Sequence, residues 1–175
     1  VYTFSPCLPL PFYYLHPHTN LQAVNQKRFL SLHEYRSAAL LESFGVPVPK
    51  GYAATTPQGA FDAAKKLGTN ELVIKAQALT GGRGKGHFDS GLQGDVKLIS
   101  SAEEAKDVTE QMLNHKIITK QTGDAGKEVT AVYIIERRDA LNEAYLAILR
   151  DRATQAPMIV ASAQGGMDIE GVAAK

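Results

Sequence analysis

The stretch Leu72–Gly86, LVIKAQALTGGRGKG, constrains this chain more than any other. It opens on Leu72-Val-Ile74, a short β-branched run that reads as a buried strand. The strand delivers Lys75 and then reaches a loop with glycines at 81, 82, 84 and 86 and with Arg83 and Lys85 between them. Glycine lets backbone N–H groups turn toward a ligand and lets that ligand approach closely. Arg and Lys add positive charge at the same place, and together these features suit a phosphate chain. A flexible basic turn between two strands would have the same composition.

Two familiar phosphate loops fail on spacing. The P-loop needs a glycine where Leu79 stands and a Ser or Thr where Gly86 stands. The dinucleotide fingerprint needs a third glycine at 87 or 89, which are His87 and Asp89. Lys75 sharpens the phosphate reading, because a lysine at the end of an apolar strand can reach the phosphates the loop would hold. Lysines on exposed strand faces are commoner, but the apolar flank argues against full exposure here.

Other candidate groups are weaker. The run Val129–Ile135 ends at Glu136, and a carboxylate just past a buried strand can accept hydrogen bonds from a base amino group or a ribose hydroxyl. Glu143, seven residues on, offers the same chemistry; either glutamate taken alone is more often a solvated surface group. His33 reads as a solvent-facing helix residue, and His87 as a surface residue bordering the loop. His16, His18 and His115 have no partner spacing, and no Ser/His/Asp set or metal motif is legible. Gly165-Gly166 reads as a structural turn before a short helix.

The remaining patterning supplies alternating helices and strands. Ser31-Leu-His-Glu34 has the form of a capping box and predicts a helix to about Phe44, closed by Gly45. Tyr35–Ala39 and Leu40–Phe44 are i, i+4 pairs on its faces. Val46-Pro-Val-Pro49 predicts an extended or edge segment. Thr56-Pro57 opens a second helix, which Gly68 closes. Val96–Ile99 predicts a strand. Ser101-Ala-Glu-Glu104 is a second capping box, with Ala105, Val108 and Met112 on the inner face of its helix. Ile117-Ile118, Val129–Ile135, Tyr145–Leu149 and Met158–Ala161 predict four more strands. The alternation implies α/β or α+β architecture.

Composition excludes several classes. The 175 residues carry 19 basic and 18 acidic side chains, a formal net charge of +1. That balance argues against a general nucleic-acid binder, and no apolar run is long enough to span a membrane as a helix. The single cysteine cannot form an internal disulfide, so a reducing compartment is expected. Residues 1–28 differ from the rest: they hold Pro6, Pro9, Pro11 and Pro17, and the first acidic residue is Glu34. The prolines forbid a continuous helix there. The first residue is Val1 rather than Met, which implies an incomplete start. Lys27-Arg28 before Phe-Leu-Ser fits the end of a mitochondrial leader; a leader without any address is the alternative.

Several motifs together carry a resemblance. Leu30-Ser-Leu-His-Glu-Tyr35, Gly45-Val-Pro-Val-Pro-Lys-Gly-Tyr52, Val73-Ile-Lys-Ala-Gln77 and Gly81-Gly-Arg-Gly-Lys85 resemble the β subunit of succinyl-CoA synthetase (succinate–CoA ligase). Thr119-Lys-Gln-Thr122, Tyr145-Leu-Ala-Ile148 and Gln164-Gly-Gly-Met-Asp-Ile-Glu170 continue the match in order, over roughly residues 30–174. The resemblance, which does not cover residues 1–25, implies an α+β ATP-grasp fold over 30–175, the first lobe and part of the second; composition leaves 1–29 as a disordered leader or transit-peptide remnant. It implies a ligase of the tricarboxylic acid cycle in the mitochondrial matrix. That enzyme joins succinate to CoA at the expense of ATP, through a phosphohistidine on a partner α subunit. It further implies that Lys75 and Gly82-Arg83-Gly84 contact the nucleotide phosphates, Glu136 the base, and Glu143 the ribose side. The residue at Pro49 looks like that of the ADP-forming branch rather than the Gln of the GDP-forming one. Thr80 replaces the alanine usual before Gly81-Gly82.

The same resemblance implies that the Mg2+ ligands and the CoA-ligase domain lie beyond Lys175. The chain alone is then expected to lack ligase activity and to bind nucleotide weakly. A related acyl-CoA ligase, such as one acting on malate, would share every motif. A non-catalytic truncated product, or a module that binds polyanions through the basic loop alone, are the other readings.

Overall fold

A computed structural model describes residues 32–80 and 85–165. The chain divides into two units, residues 1–30 and 31–175. The first lies outside the described residues, and with it the leader motif Lys27-Arg28; the fold below is that of the second.

A four-stranded sheet is the frame. Its strands are β1 (Gly51–Ala54), β2 (Leu72–Gln77), β4 (Val96–Ile99) and β7 (Ala131–Glu136), in the order β1-β7-β2-β4. Every neighbouring pair is antiparallel, which decides between the two expected architectures in favour of α+β. Three short strands, β3 (His87–Phe88), β5 (Lys116–Ile118) and β6 (Lys127–Glu128), form a second antiparallel sheet. Strands β8 (Tyr145–Arg150) and β9 (Pro157–Ser162) pair as a ribbon whose Leu146, Ile148 and Ile159 face solvent.

Alternation along the central strands sends side chains to two faces. Leu72, Ile74 and Ala76 of β2, with Val132 and Ile134 of β7, join one core. Helices α2 (Pro57–Leu67) and α3 (Ala102–Met112) cover it with Ala60, Ala63, Ala64, Ala105 and Met112. The small residues of α2 let it lie close to the sheet. Burying an aliphatic side chain the size of Ile74 stabilises by about 1.5–3 kcal/mol, and cutting it to alanine would cost about 2–5 kcal/mol. On the other face Val73, Tyr133 and Ile135 pack against Tyr35 and Ala38 of α1 (Glu34–Ser43).

Local signals explain the ends of these helices. Thr56 accepts the N–H of Gly59 and Pro57 sits at the first helical position, while Gly68 closes α2 at φ +70°. Ser101 accepts the N–H of Glu104. The Glu104 carboxylate, however, returns to the N–H and hydroxyl of Ser100, one residue before the cap. The inner face of α3 is Ala105, Thr109 and Met112, with Val108 partly buried beside them. Thr109 donates its hydroxyl to the Ala105 carbonyl at 2.6 Å, so its burial leaves that hydroxyl bonded.

One expectation changes and one falls outside the described residues. Ser31 of the first capping box lies outside them; His33 is the N-cap of α1, with no side-chain capping bond of its own, and the Glu34 carboxylate pairs with Lys75. Val46–Pro49 is not a strand; pairing begins at Gly51, where the prolines no longer remove donors. A Cβ on Gly51 would lie 2.5 Å from Ile135 Cγ2 and 2.8 Å from the Ile134 carbonyl oxygen, so β1 approaches β7 only as glycine. Gly45 ends α1 at φ +76° as expected. Its Leu40 and Phe44 face solvent, and α1 buries no residue fully.

Candidate functional site

Lys75 lies inside β2, between the buried Ile74 and Ala76 and opposite Tyr133 of β7. Alternation puts it with Val73 on the face that α1 covers. Its side chain is one-quarter exposed, and its Nζ lies 2.8 Å from Glu34 Oε1 at the start of α1. Two residues on, the fully buried Gln77 accepts the N–H of Tyr35 through Oε1 at 3.4 Å and donates Nε2 to the Lys75 carbonyl at 3.2 Å. Gln77 thus holds Lys75 at its main chain, and Glu34 of α1 at its side chain.

The glycine loop follows directly. Gly82, Arg83 and Gly84 lie outside the described residues, so the structure neither joins them to Lys75 nor separates them from it. The loop's flanks are described. Thr80 Oγ1 lies 3.2 Å from Thr119 Oγ1 and 3.2 Å from Gln121 Oε1, tying the loop's start to the end of β5. Thr119 is buried, and its own N–H is capped by the Thr122 hydroxyl at 2.9 Å. At the far side Gly94 donates its N–H to the Gly86 carbonyl at 2.8 Å.

Glu136 closes β7, opposite Leu72. It is three positions from Tyr133, about 10 Å along the strand, and alternation gives it the face opposite to that of Lys75. The structure does not bring the two side chains together. Glu136 Oε1 accepts the Lys50 N–H at 3.2 Å and the Arg138 guanidinium. The Arg138 hydrogen bond, seconded by the Lys50 N–H, holds its carboxyl below the usual range for a glutamate. Oε2 takes no hydrogen bond from the described residues.

Glu143 sits exposed just before β8. Its carbonyl accepts the Gly165 N–H at 2.9 Å. A Cβ on Gly165 would meet the Ala144 carbonyl carbon at 2.7 Å and the Glu143 carbonyl carbon at 2.9 Å. Gly165 is therefore more than a turn residue: its bare backbone packs on the segment that carries Glu143. Gly166 and the helix expected after it lie outside the described residues.

Sequence spacing missed Glu34, Lys50 and Arg138. Glu34 looks like half of a capping box, and no local pattern announces a partner 41 residues away. His33 is half-buried and stacks on Tyr35 with ring centroids 5.9 Å apart, rather than facing solvent as a helix residue. His115 pairs through Nδ1 with Asp89 at 2.8 Å, a partner that spacing did not reveal. Among the described residues no group of three or more His, Cys, Asp or Glu is arranged to hold a metal ion. No helix among them is long and apolar enough to cross a membrane.

Comparison with known proteins decides the family. The model of the ATP-grasp domain matches residues 31–175. The chain belongs to the ATP-grasp family. The ATP-grasp chain is 63% identical over 155 residues to the mitochondrial succinate–CoA ligase [ADP-forming] subunit beta of Saccharomyces cerevisiae, covering 88% of this chain and 36% of that one. It is 61% identical over 148 residues to the hydrogenosomal subunit of the same name from Neocallimastix frontalis, covering 85% and 34%. The mouse mitochondrial [GDP-forming] subunit beta is 46% identical over 148 residues, covering 85% and 34%. The chain thus spans about a third of the length of these relatives. Among solved structures, an acetyl-coenzyme A synthetase of Ca. Korarchaeum cryptofilum, in complex with coenzyme A and Ca-AMPCP, superposes with a TM-score of 0.53 at 18% identity. It covers 75% of this chain and 52% of that one, a likeness of fold.

Proposed function

We propose that this ATP-grasp chain is the nucleotide-binding part of the β subunit of a succinate–CoA ligase. The reaction is succinate + CoA + ATP ⇌ succinyl-CoA + ADP + phosphate, with the phosphoryl group carried by a histidine of an α subunit. Lys75 and the Gly82-Arg83-Gly84 loop hold the phosphates, Glu136 accepts from the base through its unoccupied Oε2, and Glu143 serves the ribose side. The partners are the α subunit, ATP or ADP, succinate and CoA, and the location is the mitochondrial matrix. Identity of 63% to an [ADP-forming] relative against 46% to a [GDP-forming] one, together with Pro49, favours ATP over GTP.

One observation carries this reading. Lys75 emerges from a buried strand six residues before the glycine run, its ammonium held by Glu34 at the sheet surface. A cation so placed suits a phosphate oxygen better than bulk solvent. Mg2+ accompanies such nucleotides, but the described residues do not fit it, since Glu136 and Glu143 make no joint cluster with a third ligand. What these residues do is bind and orient: neutralise phosphate charge at 75 and 83, and read the nucleoside at 136 and 143.

The double substitution Lys75→Ala with Arg83→Ala, made in the chain assembled with its α subunit, tests the reading. Each charge-assisted hydrogen bond lost costs about 1.5–3 kcal/mol, so ADP affinity should fall by about two orders of magnitude or more. Unchanged affinity in a folded variant would overturn it. Succinyl-CoA formation by the assembly separates succinate from malate as the acid.

A further inference from the structure

We propose that Glu34, at the start of α1, is a positioning residue for Lys75: it aims the ammonium that the nucleotide reading assigns to the phosphates. The proposal rests on that reading and deepens it.

The geometry points to orientation rather than to stability. Helix α1 buries no residue fully and packs on the sheet through Tyr35 and Ala38. Tyr35 is fixed by its N–H bond to Gln77 and by its ring, 6.3 Å from that of Tyr133. Tyr133 is in turn the register partner of Lys75. The first turn of α1 is therefore pinned on both sides of Lys75, and it carries Glu34 to 2.8 Å from Nζ. The two side chains remain one-quarter and one-third exposed. A pair so solvated contributes little to folding, at most about 1 kcal/mol. Its larger effect falls on the lysine itself. An ammonium on a flexible four-carbon stem samples many rotamers unless a fixed partner holds it. Nζ has three donors; Glu34 takes one, and two remain for phosphate oxygens.

Glu34 is nowhere placed against the nucleotide. The proposal assigns it an effect on ADP that passes through Lys75, which a double-substitution cycle separates from a general role in docking α1. The test is a double-substitution cycle read by ADP titration calorimetry, in the chain assembled with its α subunit. The variants are Glu34→Ala, Lys75→Ala and the two combined. Glu34→Ala should weaken ADP binding about three- to tenfold, the lower range for losing one partly solvated charge-assisted bond. In the Lys75→Ala background the same change should have no further effect. Glu34→Gln, which keeps an acceptor and loses the charge, should fall between wild type and alanine; if the alanine variant fails to fold, the cycle is run with glutamine. An ADP affinity untouched by the Glu34 change, or weakened equally with and without Lys75, would overturn the proposal and leave the nucleotide reading standing. If Lys75→Ala alone binds ADP as tightly as wild type, the nucleotide reading itself falls.

Discussion

Gly165 and Gly51 are, among the described residues, positions at which a single methyl group has nowhere to go. At Gly165 the obstruction is the backbone of Glu143 and Ala144, which cannot rotate aside as a side chain can. Gly165→Ala should therefore cost about 1–3 kcal/mol through overpacking and push Glu143 off its position. A lowered thermal midpoint together with weaker ADP binding is expected. An alanine variant with the melting temperature of wild type would show that the two segments separate freely. Gly165 stood out in the sequence as a turn; that its neighbour in space is Glu143 did not. The same holds for Glu34 and Lys75. Both residues are legible as types, but their pairing is a product of α1 lying across β2, and one-dimensional spacing carries no trace of it.

Elements were more legible than contacts. Thr56-Pro57 and Ser101-Ala-Glu-Glu104 announced α2 and α3, because a cap satisfies backbone donors within three residues and so leaves a local signature. Thr56→Ala and Ser101→Ala should each destabilise by about 1 kcal/mol, measured as a shift in the urea midpoint at unchanged slope. A shift of that size in only one of them would mean that the other helix start is held by tertiary packing. Of the first box, Ser31 lies outside the described residues; what the spacing did not announce is that the Glu34 carboxylate pairs with the Lys75 ammonium. The two-residue strands β3 and β6 were invisible, since two residues give no periodicity. They pair because β5 offers them both of its edges.

At the scale of the molecule, the antiparallel sheet explains why the candidate site is divided. Lys75 and Glu136 belong to adjacent central strands yet to opposite faces, so a nucleotide meeting both must pass round the strand ends, where Glu136 closes β7, rather than lie on one side of the sheet. Three carboxylates with lowered pKa set a pH limit. Glu136 is depressed by Arg138 and the Lys50 N–H, and Asp151 by the Thr154 hydroxyl and the N–H groups of Ala153 and Thr154. At Asp89 some desolvation pushes the carboxyl up, but the His115 hydrogen bond and the Lys116 N–H outweigh it. Each group ionises more readily folded than unfolded. Their stabilisation is complete above the ordinary values of 4.5 for Glu136 and 3.8 for the aspartates, and it is lost as pH falls through the lower folded values. Acid unfolding followed by circular dichroism should steepen below about pH 4.5. Glu136→Gln should reduce stability at pH 7 and flatten its dependence on pH in that acid range. A variant whose stability falls with pH as steeply as wild type would mean that the Arg138 pairing is spent equally in the unfolded chain, and the hold on Lys50 at the edge of β1 would then have to come from the backbone alone.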